Sequence, residues 1–430
     1  MKIPFFKKGD SADSDKSQVT FGIFDLFKKI GRLFDPAPQK EKVLRHEDFN
    51  AVGDVYYANV SVAYKITQRL LILLLVFFLV FSLITNFKEI TYDNFFYLIK
   101  DFSSAVDLES SNYDTVSYNS DQRHFFALFR GGLTVVNPSK ISAFTATGRL
   151  TLQTTSQFSS PCVKTSDKYF VVYDTAGTTF SVYNSFSRIY SETFEYPVTD
   201  ACFSDNGYMA IITRDISHKS MVHIYNKSFN RLFTVPSNKY AFNIAMDDNK
   251  IAICYYDIGD GSGKTDISIR TYDKMTEIAS ISVDGEFVLS SGFLSDNRYA
   301  VITDHSIRIY DKNYEEINSY EYSSSTVTGF DMNDFGVAVS YTENSKNTVI
   351  VFDKSGNLLY NEAISENIND ISVYEQYIFF RTDTGVIRLD ALTQSEQFLP
   401  SDQGKMLIYS SNTALVCGDS KAEYLVFNNK

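Results

Sequence analysis

Few side chains in this 430-residue chain stand at spacings that could do chemistry. The segment DIGDGSGKTD, Asp257 to Asp266, gathers glycines, a lysine and carboxylates in the manner of a phosphate loop. Its interval is wrong. A phosphate loop places four residues between its first glycine and the Gly-Lys pair, and Gly259 to Gly263 encloses three. The segment also lies between two expected strands, so no helix N-terminus is on hand to receive an anion. A hairpin insertion accounts for it, with Asp257, Asp260 and Asp266 left as oxygen donors for calcium outside EF-hand spacing. The histidines are His46, His124, His218, His223 and His305. His218 and His223 are the nearest pair, but five residues across a hairpin is not a ligand spacing, and both are expected as solvated hairpin residues. No G-x-S-x-G is present to mark a hydrolase nucleophile. The sequence therefore assigns no catalytic, cofactor-binding or metal-binding residue.

Composition narrows the class further. The net charge of −12 opposes nucleic-acid binding, which depends on neutralising phosphates. With 44% hydrophobic and 21% charged residues the chain has enough apolar material for a sizeable core. Four cysteines are too few for a disulfide scaffold of this length.

One segment predicts where the molecule resides. Leu70 to Phe87, LLILLLVFFLVFSLITNF, is eighteen residues without a charge. At 1.5 Å per residue it covers about 27 Å, which Thr67, Gln68 and a snorkelling Arg69 extend to a membrane span, residues 67–87. A soluble core helix would show a polar face, and this run has none. A cleaved signal peptide fits poorly, because SLITNF lacks a small-residue cleavage pattern. Within thirty residues of the span, Lys40, Lys42, Arg45, Lys65 and Arg69 precede it and only Lys88 and Lys100 follow. The expected orientation is N-terminus cytoplasmic and C-terminal domain extracytoplasmic, at the plasma membrane.

Residues 1–66 are expected as a cytoplasmic tail. Within it, residues 20–35 form an amphipathic helix in which Phe24, Phe27, Ile30 and Leu33 share a face opposite Lys28, Lys29 and Arg32. Those three cations suit the anionic inner leaflet; a partner protein is the alternative. Pro36 to Lys65 is expected as linker, and residues 88–113 as a stalk.

Past residue 110 the helical period gives way to short alternating strands bounded by Asp, Asn, Gly or Ser. An aromatic or apolar residue followed by Asp, Asn or Thr recurs as Phe144-Thr145, Tyr183-Asn184, Tyr225-Asn226, Tyr272-Asp273, Tyr310-Asp311, Phe352-Asp353, Leu389-Asp390 and Phe427-Asn428. Successive intervals are 39, 42, 47, 38, 42, 37 and 38 residues, the length of a four-stranded propeller blade. In the fifth unit the four strands a to d are expected at Val288 to Phe293, Tyr299 to Thr303, Ser306 to Tyr310 and Ile317 to Tyr322. The eighth unit offers only three strands, and Asp114 to Tyr118 is a spare strand able to complete that last sheet. Residues 114–430 are thus expected to form an all-β, eight-bladed β-propeller, with seven blades as the alternative. Cys162 and Cys202 fall one repeat apart on inner strands. They would pair only if their Cα atoms approached within about 7 Å, and free thiols are expected, with Cys254 and Cys417 in the core.

Repeat length and the c-strand endings IYDK at Ile309 and VFDK at Val351 make this region resemble quinoprotein-like and WD-repeat propellers. Those families carry Trp in nearly every blade and this chain has none, which argues against a quinone cofactor. Basic tail, single span and Trp-free propeller together resemble uncharacterised membrane-anchored propeller proteins of Gram-positive bacteria. A rigid ring of sheets presenting many loops, fixed in place by tail and span, suits recognition. The expected function is therefore a binding or scaffolding module in the cell envelope that takes a protein or polysaccharide partner and performs no catalysis. The alternatives are a propeller enzyme with a central-channel site, either a hydrolase assembling Ser, His and Asp from different blades or a cofactor-dependent oxidoreductase, and a transmembrane ligand sensor.

Overall fold

The computed structural model describes residues 51–85, 115–118, 123–166, 168–258, 263–322 and 326–428. The expected amphipathic helix at 20–35 and the stalk at 88–113 lie outside the described residues. The chain divides into two units, residues 1–98 and 99–430.

The first unit contains helix α1 (Ala51–Thr85), 35 residues long. Its window Tyr64–Phe81 has a mean hydropathy of 1.9, none of it is buried, and its length and composition are those of a membrane span. The helix starts at Ala51, inside the stretch expected as linker. Residues 51–66 contain no proline, and extending an existing helix is cheap once its first turn is nucleated.

The second unit is built from eight four-stranded antiparallel sheets, which settles the blade number at eight rather than seven. In seven of them the strands follow in sequence order, with strand a innermost and strand d outermost. Blade five shows how local pattern sets this. Strands β18 (Val288–Leu294), β19 (Arg298–Thr303), β20 (Ser306–Tyr310) and β21 (Glu316–Glu321) lie within two residues of the expected bounds. Strands b are apolar at consecutive positions because both of their faces are covered. In β11 (Met209–Arg214), Met209 and Ile211 pack towards blade two, while Ala210 and Ile212 pack towards blade four. Each of eight buried apolar clusters joins one blade to the next, and the series returns from blade eight to blade one.

The recurring two-residue marker has a physical basis in the c–d turn. Its aromatic or aliphatic member is buried at Tyr183, Tyr225, Tyr272, Tyr310, Phe352, Leu389 and Phe427. Its polar member caps the turn: Asp311 Oδ1 accepts from the N–H groups of Asn313 and Glu315, and Asp353 Oδ1 from those of Ser355 and Asn357. Asn184, Asn226 and Asp390 do the same. In blades one to six strand d bulges close to this point, which bends each outer edge away from further pairing.

Closure is made by the spare strand. β1 (Val116–Ser117) lies antiparallel to β32 (Lys421–Val426), with Val116 opposite Ala422 and Ser117 opposite Lys421. Tyr118 then fastens the join, its N–H donating to Ser420 O and its hydroxyl to Gly418 O at 2.6 Å. Val116 is 1% exposed and packs with Leu133, Val135, Leu415, Cys417 and Ala422, so one side chain ties blade eight to blade one. Val116→Asp should lower the thermal midpoint of the ring by several degrees or abolish folding, because it buries an unpaired carboxylate at the closure. Ser117→Ala, on the exposed face of the same strand, should leave the midpoint within about a degree. Equal melting of the two variants by circular dichroism would refute a closing role for β1.

Candidate binding face

The inner strands pose a local problem. Strand a of each blade pairs on one side only, so every other N–H on its free edge lacks a ladder partner. Side-chain acceptors from the preceding blade supply it at three joins. Asp200, on β10 (Val198–Phe203), accepts from Ile244 N at 3.2 Å; Asp331, on β22 (Thr326–Met332), from Val373 N at 2.8 Å; and Asp370, on β26 (Ile368–Tyr374), from Met406 N at 3.2 Å. Asn243 takes the equivalent place towards blade five, accepting from Ser291 Oγ at 3.2 Å. Lys405 holds Asp370 at 2.8 Å. Burial pushes the Asp200 carboxyl above its usual range against the opposing pull of Lys164. Burial likewise raises Asp331 to about 6, although the N–H groups of Val373 and Met332 oppose it. These carboxylates hold blades together. Each was visible as a polar residue within an apolar strand, and Asp200 and Asp370 share one phase, two residues after Val198 and Ile368.

The residues weighed from sequence do not converge. Asp266 pairs with Lys239 and accepts from Ser282 Oγ at 2.6 Å; Asp257 lies 3.8 Å from Lys239; Asp260 is outside the described residues. The Asp257 to Asp266 segment does connect strands b and c of blade four, β15 (Lys250–Asp257) and β16 (Lys264–Thr271). All four cysteines are free, Cys162 and Cys202 included. Burial raises the thiols of Cys202, Cys254 and Cys417 to about 12, far from a reactive thiolate. Among the described residues no three His, Cys, Asp or Glu side chains gather to hold a metal ion.

His223 departs from expectation. It lies on strand c, β12 (Ser220–Tyr225), not in the hairpin, and it is buried. Its Nε2 meets Thr213 Oγ1 at 3.0 Å, its Nδ1 meets Thr234 Oγ1 at 3.3 Å, and its ring stacks on Phe194 at 4.6 Å. The strand's inward alternation carries it in, and two threonines satisfy its nitrogens. His218 stays in the b–c turn, half-buried, its N–H donating to Asp215.

The two ends of the ring differ in what they leave free. At the a–b end the turns are tied to one another. Asn206 donates to Asp248 O at 2.8 Å, Lys250 to Asn297 at 3.0 Å, Ser295 to Asp334 O at 2.8 Å and Asn333 to Glu375 O at 3.3 Å, linking blades three to seven in series. The opposite end carries the b–c hairpins and d–a loops. There Ile216 is 84% exposed and Ile258 57% exposed, on the hairpins of blades three and four. Between them Tyr240 begins β14 (Tyr240–Met246), with the Arg214 guanidinium 5.2 Å and the Lys219 ammonium 5.0 Å from its ring centre. Tyr256 lies opposite Tyr240 across the strand pair and meets Phe287 at 5.5 Å, and Phe287 stacks on Phe242 at 5.1 Å. Exposed aliphatics beside ordered aromatics and arginine are the residue types that anchor protein interfaces. Sequence inspection missed this group because its members come from three blades.

A family model described as a family of unknown function, DUF5711, matches residues 108–394. Among curated proteins none matches the chain. Sqt1 of Saccharomyces cerevisiae is similar in structure, with a TM-score of 0.55 and 9% identity over 73% of this chain and 98% of its own. BamB from Moraxella catarrhalis covers the same shares at 0.49 and 11% identity. The WD40 domain of Neurospora crassa Pan2 reaches 0.45 and 10% identity over 63% of this chain and 90% of its own. The likeness to Sqt1 is one of fold.

His223 and Asp331 generate opposite pH dependences. Burial, reinforced by Arg231, lowers His223 to about 4 from 6.5, so between those values the unfolded chain binds the proton first. Its contribution is complete above pH 6.5 and is lost as the pH falls towards 4, on the order of 3 kcal/mol in all. Asp331, raised to about 6 from 3.8, contributes below pH 3.8 and loses that contribution as the pH rises through 6. Thermal melts from pH 7 to 4.5 should therefore fall less steeply for His223→Asn than for the parent, and more steeply for Asp331→Asn. Parallel curves for all three would show that neither group is buried as described.

Proposed function

We propose, on the footing that this chain belongs to the DUF5711 family of unknown function, that it is a single-pass membrane protein whose extracytoplasmic propeller acts as a non-catalytic binding scaffold in the cell envelope. One observation carries the anchoring half. Every residue of α1 from Leu70 to Phe81 is exposed, an apolar surface that water would penalise at about 25 cal/mol per Å² and that lipid would accept. The five-to-two excess of basic residues before the span supports a cytoplasmic N-terminus. In this reading the acidic propeller lies outside, and Lys28, Lys29 and Arg32 meet the inner leaflet.

The binding half is supported by rigidity on one side and availability on the other. Turn-to-turn hydrogen bonds and carboxylate acceptors brace the ring, while the b–c hairpins present Ile216 and Ile258, and a d–a loop presents Phe287, to solvent. A braced platform with such groups binds with little ordering cost. The expected partner is a protein of the envelope.

Epitope tags decide the arrangement. A tag after Lys430 should be accessible to antibody on intact cells and a tag before Met1 only after permeabilisation. The reverse pattern, or recovery of the chain in the soluble fraction, would refute the proposal. Purified full-length protein should also show no stoichiometric cofactor and no hydrolytic turnover; either would replace the scaffold with an enzyme.

A further inference from the structure

The b–c face is not uniform in charge. In blades three and four, Lys239 is neutralised by Asp266, and Lys264 lies 3.5 Å from Asp284. Arg214 and Lys219 differ. Among the described residues neither has a carboxylate within ion-pair distance, although residues 70 to 430 hold 43 acidic against 28 basic side chains. Both cations lie instead about the ring of Tyr240. A pair of positive charges held over one aromatic ring and left without an anion is complementary to a carboxylate brought by another molecule.

Apolar groups flank the cations. Ile216 lies between Arg214 and Lys219 in sequence, at the tip of the same hairpin, and Ile258 directly follows strand β15 in the next blade. Neither a glycan nor a nucleic acid has aliphatic side chains to cover two isoleucines. A polypeptide supplies both chemistries at alternating positions of one extended segment.

We propose that Arg214, Lys219 and Tyr240, flanked by Ile216 and Ile258, form the docking site for an extended acidic polypeptide segment. Its carboxylate meets the two cations and its neighbouring apolar side chains cover the isoleucines. The site deepens the scaffold reading above by naming the face and the class of partner.

The test uses the full chain in lipid nanodiscs and a phage-displayed library of random twelve-residue peptides. Enriched peptides should combine Asp or Glu with aliphatic or aromatic residues. The strongest, made synthetically, should lose at least tenfold in affinity on an Arg214→Glu, Lys219→Glu double variant. A similar loss is expected on Ile216→Asp, Ile258→Asp, with the melting temperature of each variant near that of the parent. Both pairs lie on exposed hairpins, so loss of folding in one still leaves the other as a test. Absence of enrichment, enrichment of peptides without acidic residues, or binding unchanged on either double variant overturns the proposal. So does full displacement by dextran sulfate at equal charge concentration, since the cations alone would then account for binding. The measurement is independent of membrane sidedness: inverted tags would refute the envelope assignment and leave the peptide result standing, and the converse holds as well.

Discussion

Both faces of every sheet in this domain are apolar, and a sheet with two apolar faces has no stable solution alone. In β11 the consecutive residues Met209, Ala210, Ile211 and Ile212 are all fully buried, which is possible only with a neighbouring blade on each side. Each large aliphatic side chain so covered contributes about 1.5 to 3 kcal/mol relative to exposure. A row of such sheets would leave its two end faces wet. Bending the row until blade eight meets blade one removes both, and the cluster joining Val116, Leu415 and Ala422 to Leu133 and Val135 is the contact that does so. The two-residue strand β1 therefore has an importance out of proportion to its length.

Closure protects the faces and leaves the edges, which are handled by different means at the axis and at the rim. At the axis, free N–H groups of Ile244, Val373 and Met406 are met by carboxylates of the preceding blade. A desolvated carboxylate is costly, as the raised pKa of Asp331 records, but an orphaned N–H beside it would add a further penalty. At the rim, bulges in the d strands of blades one to six spoil the regular row of donors and acceptors that another chain would pair with.

Much of this was legible because it is local and periodic. The marker encodes a buried apolar side chain next to a turn cap, and both are present in blades two, three, five, six and seven. Blade length, blade number, the strands of blade five and the closing strand all followed from it. The start of α1 at Ala51 was not legible, since residues 51–66 carry mixed signals and the helix is propagated from its apolar half. His223 was misplaced by one strand boundary, and burial followed from that single shift. The aromatic and cationic group on the b–c face was invisible for another reason. Arg214 and Tyr240 belong to successive blades and Phe287 to the loop entering the next, and only the stacking of sheets brings them to one face.

The two ends of the ring then acquire different characters from the same repeat. The Asp-Asn phrases at Asp205, Asp248 and Asp296 lead into strands b, and their polar side chains and carbonyls are consumed in hydrogen bonds to a neighbouring blade. That end is a brace, and altering its residues would loosen the ring. The b–c hairpins are tied instead to the d–a loops beside them, as Arg214 N–H is to Pro197 O and Asp304 N–H to Phe287 O. Their lengths vary from the two residues Asp304 and His305 in blade five to the longer turns of blades three and four, and there the exposed isoleucines stand. Since the hairpins are fixed at their bases by strands buried on both faces, side chains at their tips are held in place without being needed for folding. Side chains exposed on a rigid base can be spent on recognition, and Ile216 and Ile258 stand in that position.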